Sequence, residues 1–437
     1  MNQQSVDGSQ VTTHIGVERI PTFHRSRPPI GVAVPRGRGC DLTTSRNHIN
    51  RRRFIKLGAT ASGAAVAGCG ADGGARASAG DVRVGRRQLG GTGLQVSEIT
   101  FGGDGPENPE LLLAAVDLGI NTIWTSPEYR DGRAQESVGR AIRAAGRRRD
   151  DMVMFTGMEL TKITSKQSVL DTIDDSLRRL GTDHLDIFAI FQLHSPRDLR
   201  IDALHEAIDE AKQAGKVGNL GLTGHSGGMQ ACLEAAIDDG RFDVFCIRYD
   251  FVSYPDQGGI LRRAAEKGIG TMVFKVNAGN RQIDIEKLTS SSQFYNQAAV
   301  KWALTNPDVA SVCLRITNFD QLREYAAAVG TNLDDDEVAM LRHYAEEMYD
   351  KYCRFCGTCE ASCPHEVAVA DVMRFAMYFK YYGREKDAMQ RYQSLPGDFT
   401  AATCDACVGS CDAACPFGRA VRAELVEAHQ MLSFSRA

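Results

Sequence analysis

Short apolar runs alternate with helix-patterned segments from residue 89 to about residue 330. The segment 165–180 places apolar side chains at helical spacing, for example at Val169, Ile173 and Leu177. Eight strand–helix units over about 240 residues have the size and rhythm of a (β/α)8 TIM barrel. The predicted strands are 99–101, 122–124, 153–155, 187–191, 219–222, 244–247, 271–274 and 311–314.

A doubly wound sheet is the competing α/β architecture, and it would need a phosphate-binding turn after its first strand. Glycines follow the first strand at 102, 103 and 105, but no strong phosphate fingerprint comes after them. We therefore expect a barrel over residues 86–349. Residues 350–437 are expected to form a small helical segment, with helices at 369–382 and 421–432.

Eight of the thirteen cysteines lie in two runs within this last segment. The first run, C-x2-C-x2-C-x3-C-P, has the ferredoxin spacing that holds a 4Fe–4S cluster. The second run, C-x2-C-x3-C-x3-C-P, is one residue longer, so its loop must bulge near Gly409. Eight thiolates predict two 4Fe–4S clusters, the second on the less regular pattern. The cysteines are Cys353, Cys356, Cys359 and Cys363, then Cys404, Cys407, Cys411 and Cys415.

Two other uses of cysteine fit the pattern less well. Zinc ribbons usually pair C-x2-C units across a longer gap than the one inside either run. A disulfide framework is typical of small chains that cannot bury a core, and 437 residues are enough to bury one.

An export signal is predicted at residues 50–80. Residues 50–57 read NRRRFIKL, which resembles a twin-arginine signal, and a short Gly/Ala-rich apolar stretch follows that is too short to span a bilayer. The sequence VAGC ending at Cys69 resembles a lipobox, which would make Cys69 a lipid anchor; ASA at 77–79 resembles an ordinary cleavage site. We expect a periplasmic protein or one held on the outer face of the membrane.

Residues 1–49 are polar and unpatterned, and we expect them to be disordered or to precede the true start of the protein. Residues 1–80 hold 11 Lys and Arg against 4 Asp and Glu, so the rest of the chain is more acidic than the net charge of −4 indicates. No basic stripe is present, which argues against nucleic acid as a partner.

Several segments together resemble the aldo/keto reductase family. They are RRQLGGTGLQVSEITFGG at 86–103, LGINTIWTSPEY at 118–129, LRRLGTDHLD at 177–186 and GKVGNLGLTGH at 215–225. The resemblance covers the whole barrel and extends into the cysteine segment, because one branch of the family carries a C-terminal ferredoxin-like segment. It implies a TIM barrel that reduces carbonyls with a nicotinamide hydride.

The resemblance implies a catalytic tetrad of Tyr, Lys, Asp and His. The tyrosine, a general acid whose pKa an ammonium lowers, aligns with Tyr129. The Asp position holds Trp124, and the Lys position falls on 156–157, which read Thr-Gly. The His position falls on Phe191, although a three-residue slip would bring in His194.

The nucleotide-binding positions are partly replaced as well. The resemblance assigns Tyr249 to stacking on the nicotinamide, and places His225 and Lys275 at strand ends that face the cofactor. In place of a glycine-containing phosphate turn the chain has Arg315, whose planar fork would bind phosphate or block its approach. Binding of NADP(H) is therefore in question.

The leading hypothesis is an exported iron–sulfur oxidoreductase whose nicotinamide tetrad is largely lost. Its barrel would still bind a small molecule at its mouth, the face where the strands end. The alternatives are an NADPH carbonyl reductase realigned through His194 and Lys162, and a non-enzymatic electron carrier. The electron partner and the substrate are not identified by the sequence. The expected mouth residues are Asp104, Tyr129, His194, His225, Tyr249, Asp250 and Lys275.

Overall fold

The computed structural model describes residues 83–103, 109–144, 146, 149–225, 227–253, 257–279, 292–349 and 351–433. The predicted export signal, Cys69 and Asp104 lie outside the described residues. No helix in the described part of the chain is long and apolar enough to cross a membrane.

The chain enters the barrel through an antiparallel hairpin of strands β1 (Arg86–Gln88) and β2 (Gln95–Ser97). Leu89 and Val96 are fully buried and pack against Phe155 inside the barrel, so the hairpin plugs the barrel's amino-terminal end. A Cβ on Gly90 would lie 2.4 Å from the backbone nitrogen of Gly270, so only glycine permits this close approach. This hairpin was not among the predicted strands.

Eight parallel strands close into a barrel, in chain order, with the last strand pairing with the first. All eight coincide with the predicted strands, so the TIM-barrel prediction is confirmed. They are β3 (Ile99–Gly102), β4 (Thr122–Trp124), β5 (Val153–Glu159), β6 (Leu185–Phe191), β7 (Val217–Gly224), β8 (Val244–Arg248), β9 (Gly270–Phe274) and β10 (Ser311–Arg315).

The helices pack their apolar faces on the outside of this barrel. Ser165 caps α3 by accepting a hydrogen bond from the Ser168 amide, and Gly181 ends that helix in the left-handed conformation. The helices are α1 (Pro109–Asp117), α2 (Arg133–Ala144), α3 (Lys166–Leu180), α4 (Asp202–Gln213), α5 (Met229–Asp239), α6 (Gly258–Glu266), α7 (Ser292–Leu304) and α8 (Phe319–Ala326).

The C-terminal segment is helical, as predicted. Just before this segment, Asp334 begins α9 with a capping box to Glu337. The first nine residues of α10 are buried, which puts most of this helix inside the protein rather than on its surface. The helices are α9 (Asp335–Glu347), α10 (Val369–Tyr382), α11 (Glu385–Gln393), α12 (Ser410–Ala414) and α13 (Val421–Leu432).

Candidate functional site

Helix α10 lies across the mouth, which we define as the carboxyl-end face of the barrel. Asp371, Arg374 and Tyr378 are three and four residues apart, so their side chains project from the same face of the helix. Each meets the end of a different barrel strand. The contacts are His194 Nδ1 to Asp371 Oδ2 at 3.4 Å, Arg374 Nη1 to the His225 carbonyl oxygen at 2.9 Å, and Lys275 Nζ to Tyr378 Oη at 2.9 Å.

The Lys275–Tyr378 pair joins the barrel to the C-terminal segment. The ammonium of Lys275 donates to the phenol oxygen and also lies 5.4 Å from the Tyr378 ring centroid. Burial lowers the pKa of Lys275 to about 8. Burial by itself would raise the pKa of Tyr378, but the ammonium of Lys275 and the guanidinium of Arg374 outweigh it and bring it to about 8.

The pKa values of the two histidines of the mouth are both lowered from that of an ordinary imidazole. Desolvation lowers the pKa of His194, and burial together with Arg374 holds the pKa of His225 well below its usual value. Both shifts favour the neutral imidazole. The predicted His194 reaches the mouth and His225 faces Phe274 at 5.7 Å between ring centroids, so both sit where the sequence placed them.

Tyr129 also lies on this side of the barrel, beside Trp124. The indole Nε1 of Trp124 donates to the Tyr129 oxygen at 3.2 Å, while the Trp124 ring packs edge-on against Phe155 and Phe191. Trp124 thus occupies the place where the family resemblance expects an aspartate, and it presents a neutral N–H to the phenol in place of a charge.

The expected lysine position is closed by the sheet itself. Gly157 pairs with Ala189 across β5 and β6, and a Cβ on Gly157 would lie 1.9 Å from the Ala189 carbonyl oxygen. The neighbouring Thr156 is fully buried, where its hydroxyl accepts from Gln135. Lys162, the other candidate, is half-exposed and pairs with Glu128.

Tyr249 does not reach the mouth, contrary to its predicted role. Its ring is buried 4.7 Å from that of Trp302 on α7, and its hydroxyl accepts a hydrogen bond from Asn306. The ring therefore fills the layer between barrel and helices, where it cannot stack on a nicotinamide.

Arg315, the other predicted cofactor contact, is exposed at the end of β10. Its side chain lies against Gly103, so close that a Cβ on that glycine would be 3.1 Å from the Arg315 Cγ.

The cysteines are grouped differently from the two runs in the sequence. One cavity is lined by three cysteines of the first run and by the last cysteine of the second. Four free thiols around one cavity are the donor set that a 4Fe–4S cluster requires, so the residues fit such a cluster. These four are Cys353, Cys356, Cys359 and Cys415.

The remaining four cysteines form a second group. Burial, and then the neighbouring thiols, raise the pKa of Cys404 to about 11, which shows that these thiols are close together. Gly409 adopts φ +79° at the start of α12 and accommodates the extra residue of this run, as the predicted bulge required. The prediction that each run surrounds its own cluster is not what the structure shows. The neighbours of Cys404 are Cys363, Cys407 and Cys411.

The first cysteine group adjoins the mouth. One cleft is lined by His225 and Arg248 on the barrel side and by Arg354 and Cys356 on the other. Arg248 donates a hydrogen bond to the carbonyl oxygen of Arg354, and Arg354 is the residue directly after Cys353. A group bound by these cysteines would therefore lie beside the strand ends.

The sequence analysis did not place any side chain of α10 in the mouth. The apolar side chains of this helix belong to the same buried cluster as the barrel's outer layer. The signal that could have revealed more is Asp371 and Arg374 within an otherwise apolar stretch, because charges on the buried face of a helix need partners.

Comparison with known proteins gives two domain matches. The aldo/keto reductase family matches residues 99–280, and the 4Fe-4S dicluster domain matches residues 347–416. Both halves of the resemblance in the sequence are thus found, in the predicted order.

Individual relatives are distant. Aldo-keto reductase YhdN of Bacillus subtilis (strain 168) is 31% identical over 31% of this chain and 45% of its own length, so the chain spans less than half of that relative. The NADH-specific methylglyoxal reductase of Escherichia coli (strain K12) is 23% identical over 60% of this chain and 98% of its own length. The solved holo form of aldo-keto reductase AKR11C1 from Bacillus halodurans gives a TM-score of 0.50 at 22% identity, covering 60% of this chain and 96% of that one.

Proposed function

We propose that this oxidoreductase, an aldo/keto reductase domain followed by a 4Fe–4S dicluster domain, transfers electrons through its iron–sulfur segment to a small molecule in the barrel mouth. The observation that carries this proposal is the cleft shared by His225 and Arg248 of the barrel and Cys356 of the first cysteine group. Because that thiol borders the mouth, an electron has a short path between the two domains.

Two clusters are part of the proposal. Cys353, Cys356, Cys359 and Cys415 would hold one, and Cys363, Cys404, Cys407 and Cys411 the other. When bound, each cluster supplies one-electron transfer. Thr358 donates a hydrogen bond to the Cys356 sulfur at 3.2 Å, and such bonds to cluster ligands are one means of setting a reduction potential.

The nicotinamide tetrad is degenerate in this proposal. Its aspartate is replaced by Trp124, and its lysine position at Gly157 has no space for a side chain. Lys275, a predicted cofactor contact, is instead engaged by Tyr378. A hydride donor that used Lys275 would have to compete with Tyr378 for it, whereas a one-electron carrier would not.

A cofactor titration tests this function. Trp124 borders the mouth and Trp302 lies in the helix layer, so a Trp302→Phe variant leaves Trp124 as the fluorescent reporter. We expect NADPH to produce no saturable quenching, and a one-electron viologen reductant to reduce the holoprotein clusters, as seen by electron paramagnetic resonance. Saturable quenching together with carbonyl reduction by iron-free protein would establish the hydride route instead.

Export belongs to the proposal as well. A twin-arginine signal at residues 50–57 suits a protein that must receive its clusters before it leaves the cytoplasm, and Cys69 would then be its lipid anchor. Cys69→Ser is expected to move the exported protein from the membrane pellet to the soluble fraction. Unchanged membrane association would contradict the anchor.

A further inference from the structure

The mouth contains a tyrosine–lysine pair that is assembled from two separate parts of the chain. We propose that Tyr378 is the proton donor and acceptor of the mouth, with Lys275 as the cation that stabilises its phenolate. This inference rests on the proposed function, because it names the acid of that same site. It also replaces Tyr129 in the role that the sequence predicted for it.

The geometry of the pair is fixed from both sides. Lys275 follows β9 directly and adopts a left-handed φ of +60°, a conformation that costs a lysine energy and is retained where the surroundings enforce it. Its Nζ meets the Tyr378 hydroxyl at 2.9 Å. Tyr378 is held in turn by its helix, whose Arg374 is hydrogen-bonded to the His225 carbonyl oxygen.

A purely structural role explains this pair poorly. Burying an ammonium costs several kcal/mol, and replacing buried charges by apolar side chains often stabilises a protein, so packing alone favours neither residue. Both side chains also keep part of their surface accessible, whereas the neighbouring residues of α10 from Val369 to Met377 are buried. The hydroxyl thus lies next to a cation at the end of the buried part of α10.

The surroundings favour the phenolate further. The cations that lower the pKa of the phenol come from three elements, so a proton can leave Tyr378 more easily than it leaves a free tyrosine. In contrast, the N–H that meets Tyr129 is a neutral indole. The cations nearest the phenol are Lys275 at a strand end, Arg374 on α10, and Arg384. The acids paired with the arginines are Asp371 on α10, which pairs with Arg374, and Asp387 on α11, which pairs with Arg384 and Arg391; Glu360 also lies near Arg374. The other titratable groups nearby are Arg248, His225 and Tyr382.

The proton step is simple to balance. In the reductive direction the O–H bond of Tyr378 breaks, a new O–H bond forms on an oxygen of the bound substrate, and the phenolate left behind is paired with the Lys275 ammonium. The phenolate then takes a proton from water. The step moves one proton and no electrons, since the electrons arrive separately from the one-electron carrier of the proposed function.

A tyrosine titration tests the assignment without any substrate. In oxidised holoprotein carrying 13Cζ-labelled tyrosine, we expect one resonance to titrate with an apparent midpoint of about 8. That resonance should be absent from Tyr378→Phe. In Lys275→Met its midpoint should rise above about 10, the ordinary tyrosine value, because the cation is gone and burial remains.

Tyr381→Phe is the matched control, because Tyr381 lies on the same helix with 43% of its surface exposed. It should leave the resonance of Tyr378 unchanged. The assignment is overturned when no tyrosine titrates below about pH 9.5, or when the one that does persists in Tyr378→Phe.

Turnover separates this inference from the function on which it rests. With viologen-reduced holoprotein and a panel of small carbonyl compounds, Tyr378→Phe should lose at least about 100-fold in rate, and Lys275→Met should shift the alkaline limb of the pH profile. Wild-type turnover that is unchanged in Tyr378→Phe overturns the inference. Absence of wild-type turnover while the tyrosine still titrates near 8 contradicts the redox function and supports the pair.

Discussion

At the scale of single residues, Gly157 shows how the spacing of backbones in a sheet determines which side chains a position can hold. Its Cα faces the Ala189 carbonyl oxygen, and even a methyl group would lie 1.9 Å from that oxygen. A lysine at this position would require β5 and β6 to separate. One substitution could therefore not introduce a lysine side chain here without a change in the sheet.

Gly157→Ala is expected to destabilise the barrel by roughly 1–3 kcal/mol, because the added methyl group overpacks against backbone that cannot move aside. The measurement is the midpoint of urea unfolding, followed by far-ultraviolet circular dichroism. Gly259→Ala is the control, since a Cβ there meets nothing within 4 Å, and it should be close to neutral. Equal midpoints for the two variants would show that β5 and β6 can separate at little cost.

Residues at strand ends could be located from the sequence, whereas their partners could not. His194, His225 and Lys275 reach the mouth because the β/α rhythm places every residue that follows a strand on one face of the barrel. Tyr378 lies 103 residues from Lys275, and no local pattern records which loop or helix will return to cover the mouth. Tyr249 was misplaced because a residue near a strand end can also turn outward into the helix layer.

At the scale of elements, α10 is the part that joins the two domains. Asp371 and Arg374 are both buried and form an ion pair with each other, in addition to their contacts with His194 and His225. Removing only one member of a buried ion pair leaves the other charge without compensation, which is more costly than removing both. The docking of α10 should therefore depend on the pair as a unit.

Arg374→Met is expected to weaken the docking of α10 by about 3 kcal/mol, because the carboxylate of Asp371 is then left buried and unpaired. Amide hydrogen exchange of α10 in holoprotein measures this as a lower free energy of opening. The double variant Asp371→Asn/Arg374→Met should recover part of the loss, and Lys386→Met on the exposed side of α11 should change nothing. If the double variant lost as much free energy of opening as the two single variants together, the two residues would act independently.

The exchange of cysteines between the two runs gives the C-terminal segment its internal order. Cys415 lies with the first run, and Cys363 with the second, so the two cysteine loops cannot separate without breaking both groups. The spacing of each run was readable in the sequence. The signal for the exchange was present as well, since in two-cluster ferredoxins the fourth cysteine of a C-x2-C-x2-C-x3-C-P run ligates the other cluster.

Iron counts in paired variants can reveal this exchange. Cys356→Ser should leave about four irons per chain, and adding Cys415→Ser should remove no more, since both changes strike the same cluster. Adding Cys363→Ser to Cys356→Ser should instead reduce the count to near zero. The reverse result, with iron lost on adding Cys415→Ser and retained on adding Cys363→Ser, would mean that each run holds its own cluster.

At the scale of the whole molecule, the C-terminal segment contacts the barrel at its mouth through α10. The barrel leaves its mouth to be covered by α10, and α10 lies between the two cysteine runs in the chain. Cluster assembly would thus fix the loops on both sides of the helix that completes the mouth. A chain with this organisation is expected to be functional only after folding and cluster insertion are complete.

The proposed twin-arginine signal suits that requirement, because a route that carries folded proteins would keep the thiols with their clusters during export. Replacing Arg51 and Arg52 together by Lys is expected to retain the protein in the cytoplasm, whereas Arg53→Lys alone should not. Cell fractionation with an antibody against the C-terminal segment measures the distribution, and iron content of the retained protein reports whether clusters were inserted before export. Retained protein that contains iron supports the order of folding first and export second. Export of the double variant at the wild-type level would instead mean that residues 50–57 are not the signal that directs this chain.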